Sequence, residues 1–273
     1  MSHYNGLDAY ISGMDDIHGG FEHPDPYVFA AISAAQTERG IGGDIIEIGA
    51  YLGRSTIALG YLIGEDETLH VCDLWPSPDP DDPDFLPETV GWYHAYTQEK
   101  FEANYLRFHN ELPEIHAVSS LELPGTLTSD SFRFAHLDGG HTAEALDSDI
   151  ALAEDLLIDE GVLSIWGHRT IHTLEVAAAV WGEVARSTLH PICATETHFY
   201  ASVTAYTATQ TADLYERLQA MPQVDVVLSN VRGADVALVQ SVRTEPKLKR
   251  YVPPILLPSA RKARSWLRRS QSE

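Results

Sequence analysis

Apolar residues along this chain alternate between short compact runs and longer stretches in which they recur every three or four positions. The compact runs predict buried strands at Asp44–Ile48 (DIIEI), Leu69–Leu74 (LHVCDL), Glu114–Val118, Phe132–Leu137 (FRFAHL) and Gly161–Trp166 (GVLSIW). Further strands are expected at His190–Thr195, Val224–Ser229 and Ala234–Gln240. The periodic stretches predict helices at Ser55–Ile63, Gln98–His109, Thr142–Leu157, Thr173–Ala185 and Ala212–Met221. Strand and helix in alternation imply an α/β fold: a mostly parallel sheet with an antiparallel edge strand and helices on both faces. Residues 1–242 read as one domain. An irregular insertion at about 75–97 interrupts it, because Pro76–Pro87 packs five prolines among Asp79, Asp81, Asp82 and Asp84. An insertion of this kind directly after a strand is either a functional loop or a solvated excursion.

Composition narrows the function classes. Of 273 residues, 40 are acidic and 18 basic, for a formal charge of −22. From residue 243 onward nine basic residues oppose two acidic ones, a net of +7, which leaves −29 on the rest. A body this acidic repels a phosphate backbone, so no nucleic-acid partner is expected. The N-terminal MSHYNGLDAYISGMDDIHGG has neither the basic region nor the apolar core of a secretion signal, and the expected location is cytoplasmic. Cys72 and Cys193 read as reduced core thiols, with a single disulfide as the alternative.

The densest chemical signal is Glu47-Ile48-Gly49-Ala50-Tyr51-Leu52-Gly53-Arg54-Ser55, at the end of the first strand and the start of the next helix. Ligands bind at that edge of an open parallel sheet, and glycines let backbone approach them closely. The spacing is not G-x-G-x-x-G, so the dinucleotide fingerprint is absent. Asp73 ends the second strand, where a carboxylate accepts ribose hydroxyls.

The pattern E-I-G-x-x-x-G-x-S followed by Asp73 resembles the first two motifs of class I S-adenosylmethionine-dependent methyltransferases. The later FRFAHLDGGHTAEALDSDIALAEDLLIDEGVL is similar to the small-molecule O-methyltransferases that act on sugars of natural products, the macrolide-sugar type. The resemblance implies a Rossmann-like sheet and S-adenosyl-L-methionine as cofactor. Glu47, Gly49, Ala50, Tyr51, Gly53 and Ser55 would then line its methionine and ribose part, Asp73 would hold the ribose, and Ser119 and Ser120 would lie at the adenine, with Asp138 also at the cofactor. Ser119 and Ser120 equally fit a helix N-cap, and Glu47 equally fits a buried capping carboxylate.

Methyl transfer to a hydroxyl needs a proton removed, and an imidazole suits that task. The resemblance makes His141, in Asp138-Gly139-Gly140-His141, the general base, and makes Asp138 a magnesium ligand partnered by an acidic pair after the next strand. Here that strand ends Trp166-Gly167-His168-Arg169, so the pair is missing and a divalent metal is doubtful. Three readings stay open: a metal-independent enzyme using His141 and His168, a transition-metal site of Asp138, His141 and His168 with or without His172, or a cofactor-binding relative without methyl transfer, cyclase-like or regulatory. His136 reads as structural.

Trp75, Phe85, Trp92, Tyr93, His94, Tyr96 and Phe101 make the insertion aromatic, and Trp75, Trp92, Tyr93 and Tyr96 are the expected substrate contacts. The expected partners are a small-molecule or oligosaccharide substrate and further copies of the chain in a homo-oligomer. In the basic tail, Ala260–Arg269 separates Ala260, Ala263, Trp266 and Leu267 from its arginines and lysines on opposite helix faces. The tail therefore reads as a peripheral membrane anchor, or as an arm docked on the acidic body or a second subunit.

Overall fold

The computed structural model describes residues 5–75 and 96–242. The body of the insertion, with Trp92 and Tyr93, and the basic tail lie outside them. Among the described residues nine strands form one sheet: β1 (Asp44–Ile48), β2 (Leu69–Cys72), β3 (Glu114–His116), β4 (Phe132–Leu137), β5 (Leu157–Trp166), β6 (His190–Ala194), β7 (His198–Ser202), β8 (Val224–Val231) and β9 (Ala234–Ser241). Their order is β3-β2-β1-β4-β5-β7-β6-β9-β8. The first five run parallel. β7, inserted between β5 and β6, pairs antiparallel with both, and a two-residue turn at Arg232-Gly233 folds β8 back on β9 as a hairpin at the sheet's edge.

Every residue of β2, β4 and β7 is buried, as strands covered on both faces must be. One apolar layer packs α1 (Asn5–Gly13), α2 (Asp25–Glu38), α3 (Arg54–Gly60) and α7 (Ala208–Gln219) on one face. The other face carries α5 (Ala143–Leu156) and α6 (Leu174–Arg186). The short α4 (Gln98–Tyr105) starts at Thr97, whose side chain accepts from the Lys100 N–H, and buries Phe101 and Tyr105. Both cysteines are buried and free. Among the described residues no helix is long and apolar enough to cross a membrane.

One buried ion pair ties this frame together. Arg133 on β4 forks onto Glu67 at 2.7 and 2.8 Å, and its remaining donors reach Ser33, Gln36 and the Leu62 carbonyl. Glu67 also accepts the Gly43 and Gly64 N–H groups. Burial alone would raise the Glu67 carboxyl, but the guanidinium and these amides hold it below its ordinary value.

Candidate functional site

The turn from β1 into α3 is built from strained backbone. Gly49, Tyr51 and Gly53 have φ of 86°, 51° and 88°. A Cβ on Gly49 would sit 2.3 Å from the Asp138 carbonyl oxygen, so only glycine lets the ends of β1 and β4 meet. The Asp138 N–H donates to the Ile48 carbonyl at 2.8 Å across that junction. Gly53 is the N-cap of α3, and a Cβ there would press on the Phe101 ring at 3.1 Å.

Asp73, immediately beyond β2, holds this turn in shape. Its Oδ2 accepts from the Ala50 and Tyr51 N–H groups, both at 2.8 Å. Its Oδ1 accepts from the Trp75 N–H at 3.0 Å and from the Tyr96 hydroxyl. Burial pushes the Asp73 carboxyl above its usual range, against the pull of these four donors. A carboxylate has about four lone-pair sites, and all four are in use.

Glu47 lies beneath the turn with no exposed surface. Ser55 donates to one of its oxygens and Thr56 to the other. Burial pushes its carboxyl up to about 8, which those two hydroxyls oppose. Glu47 and Ser55 therefore brace α3 against β1 from below.

At the end of β4, Asp138 and His141 come together. His141 Nε2 is 3.8 Å from Asp138 Oδ1, and the His141 side chain is 41% exposed. The ring stands edge-on to Trp166, with centroids 5.2 Å apart. Thr142 caps α5 by accepting from the Ala145 N–H at 3.2 Å, which fixes His141 at the helix entrance. Burial raises the Asp138 carboxyl, and the neighbouring His141 imidazole opposes that.

Residues 46–165 match a family model described as a methyltransferase domain. No curated protein sequence shows significant similarity to the chain. Among solved structures, the O-methyltransferase NovP is similar in fold at 13% identity and a TM-score of 0.51, covering 66% of this chain and 80% of its own. A Corynebacterium glutamicum protein aligns at 12% identity and a TM-score of 0.50, over 76% of this chain and 94% of its own.

At this turn the places that a Cβ would take on Gly49 and Gly53 are filled by the Asp138 carbonyl and the Phe101 ring, so both positions are shaped by close packing. Ala50 and Tyr51 present their N–H groups to Asp73. Ser119 is an N-cap: it accepts from the Leu121 N–H at 3.3 Å, while Glu122 accepts from the Ser119 N–H. Ser120 hydrogen-bonds the buried Asp149 of α5. Trp75 is buried against Phe101 and donates its indole N–H to the Tyr51 carbonyl at 3.0 Å, supporting the turn from behind. Tyr96 stacks obliquely on Tyr51 at 4.9 Å.

His168 does not share the site of His141. It is 2% exposed, its Nε2–H donates to the Thr195 carbonyl at 3.2 Å, and its ring packs against Trp181 and Phe199. Burial lowers it to about 4. A proton carrier needs access to the reacting hydroxyl, and this imidazole has none. Trp166, where an acid was expected, donates to the Gly20 carbonyl at 3.3 Å. Gly167 adopts φ 92°, and a Cβ there would meet the Thr173 hydroxyl at 2.9 Å. Among the described residues, no third ligand-type side chain joins Asp138 and His141.

A buried polar seam, not foreseen from the residue pattern, runs across the sheet. Asp25, at the start of α2, accepts from Thr195 (2.9 Å), Tyr200 (2.8 Å), Thr197 (3.0 Å) and His198 Nδ1 (3.0 Å). The His198 ring lies 5.3 Å from that of His136, whose Nε2 is 3.8 Å from Glu47. The available signal was histidine at inward-facing strand positions, with an acid opening an apolar helix.

Proposed function

We propose that the chain is an S-adenosylmethionine-dependent O-methyltransferase that methylates a hydroxyl of a sugar or similar natural-product-like small molecule. The bound cofactor supplies an electrophilic methyl group on a sulfonium. Asp73 receives the ribose hydroxyls once Tyr96 yields its place. His141 takes the proton from the attacking hydroxyl, with the Asp138 carboxylate orienting the imidazole and stabilising it when charged. The single observation that supports this reading is the exposed His141 beside the half-buried Asp138, where Gly49 lets β1 abut β4 next to the glycine turn.

The acidic body favours a neutral acceptor over an anionic one. Ile171 and Leu174, exposed in the segment after Gly167, offer an apolar surface for the carbon face of such a molecule. Incubating the protein with S-adenosylmethionine and a panel of glycosides and phenols, followed by mass analysis, tests the proposal. A product heavier by one methylene on a hydroxyl is expected. Tight cofactor binding with no methylated product over a broad panel would instead favour a binding relative without transfer, which the Trp166-Gly167 substitution motivates.

A further inference from the structure

Away from this edge, on the α5 face of the sheet, two histidines and a glutamate converge from neighbouring strands. β2 and β3 pair in parallel with His70 opposite Glu114 and Cys72 opposite His116, so all four residues share one face. His70 Nδ1 lies 3.1 Å from His116 Nε2, and the rings are nearly parallel at 14°. The Glu114 carboxylate oxygens are 3.8 Å from each of these nitrogens, and one donor atom from each residue falls within 4.8 Å of the others. Cys72 is not part of the cluster, since its thiol donates to the Val118 carbonyl at 3.3 Å.

We propose that His70, His116 and Glu114 form a binding site for a borderline transition-metal cation, zinc above all, with water completing the coordination. Two Zn–N bonds of about 2.0 Å at a tetrahedral angle place the nitrogens about 3.3 Å apart, so the imidazoles already stand near ligand geometry. Glu114 is largely exposed, so its side chain is free to turn toward an ion held by the two imidazoles. Two imidazoles and one carboxylate select zinc over magnesium or calcium, which want more oxygen ligands.

The outer shell agrees with this assignment. The far nitrogen of His70, Nε2, is 3.5 Å from Asp44 Oδ2 on β1, the carboxylate–histidine arrangement that fixes a ligand's tautomer. Asp44 is itself anchored, because its Oδ1 accepts from the Thr68 N–H at 2.7 Å. Burial and the neighbouring His70 hold the His116 imidazole below its usual value. The ion would staple the three-residue edge strand β3 to β2. That staple reaches the cofactor side of the sheet, since the His116 carbonyl accepts the Asp73 N–H at 3.2 Å. The site stands whether or not the chain transfers methyl groups.

The test is calorimetric titration of zinc chloride into chelator-treated full-length protein, with the Tm followed in parallel. Wild type is expected to bind one equivalent per chain, release protons and gain Tm. His116→Asn is expected to abolish that equivalent. Asp44→Asn, which removes no ligand, is expected to weaken it about 10- to 100-fold. Cobalt substitution should give the visible absorption of a low-coordinate site in wild type only. If His70→Asn fails to fold, His116→Asn and the exposed Glu114→Gln carry the test. No stoichiometric uptake by wild type, or uptake unchanged in His116→Asn and Glu114→Gln, would overturn the proposal.

Discussion

Tyr96→Phe tests whether Asp73 is the ribose acceptor. In the structure all four lone-pair sites of Asp73 are filled, and three of the donors are backbone amides fixed by the glycine turn and the chain beyond β2. The fourth, the Tyr96 hydroxyl, comes from a side chain at the far end of the insertion and is the one partner able to leave. A ribose hydroxyl must therefore displace it. A hydrogen bond to a charged group contributes about 1.5–3 kcal/mol, and each 1.4 kcal/mol is tenfold in affinity. Removing the phenol hydroxyl leaves one lone pair of a buried carboxylate unsatisfied until the cofactor arrives. Tyr96→Phe is thus expected to bind S-adenosylhomocysteine roughly ten-fold tighter than wild type, read by calorimetry. Weaker or unchanged binding would refute the displacement and the ribose role of Asp73 with it.

Other perturbations probe the frame around that site. Gly49→Ala forces a Cβ onto the Asp138 carbonyl at a left-handed φ, and the combined strain and overpacking should cost roughly 2–5 kcal/mol in chemical denaturation. Glu67→Ala leaves Arg133 buried and unpaired, a loss of about 3–5 kcal/mol. Because the folded Glu67 carboxyl is depressed, its contribution is present above the unfolded value and disappears as pH falls through the folded one. The Glu67→Ala penalty should accordingly shrink in acid. His168 has the same sign at higher pH: its folded value of about 4 lies below the unfolded one, so the unfolded chain takes up the proton first and stability falls as pH drops from about 6.5 to 4. His168→Gln should flatten the Tm profile across that interval, and an unchanged slope would contradict its burial as a neutral imidazole.

The parts of the fold that were legible are those whose pattern has a single explanation. DIIEI and FRFAHL are β1 and β4 to the residue, because runs buried on both sides admit only a central strand. α2 escaped notice since it is buried nearly all round and shows no polar face to reveal a period. β7 was hidden by His198 and Ser202, polar residues whose partners, Asp25 and the Gly161 carbonyl, are distant in sequence. β5 begins at Leu157, directly where α5 ends, four residues before the expected start at Gly161, because Ile158-Asp159-Glu160 carries no apolar run to mark it as strand. In the site, D-G-G-H spacing was enough to bring Asp138 and His141 together. Nothing local distinguished His141, open at the edge, from His168, enclosed behind Trp181. The full occupancy of Asp73 depends on donors from three segments and was likewise out of reach.

The central claim is that the His141–Asp138 pair beside the glycine turn removes the proton during methyl transfer. With a methylated acceptor in hand, single-turnover rates of wild type and His141→Asn measure that step directly. The account predicts a loss of about 10²- to 10⁴-fold in the transfer rate with cofactor affinity retained. An undiminished rate in His141→Asn would contradict it.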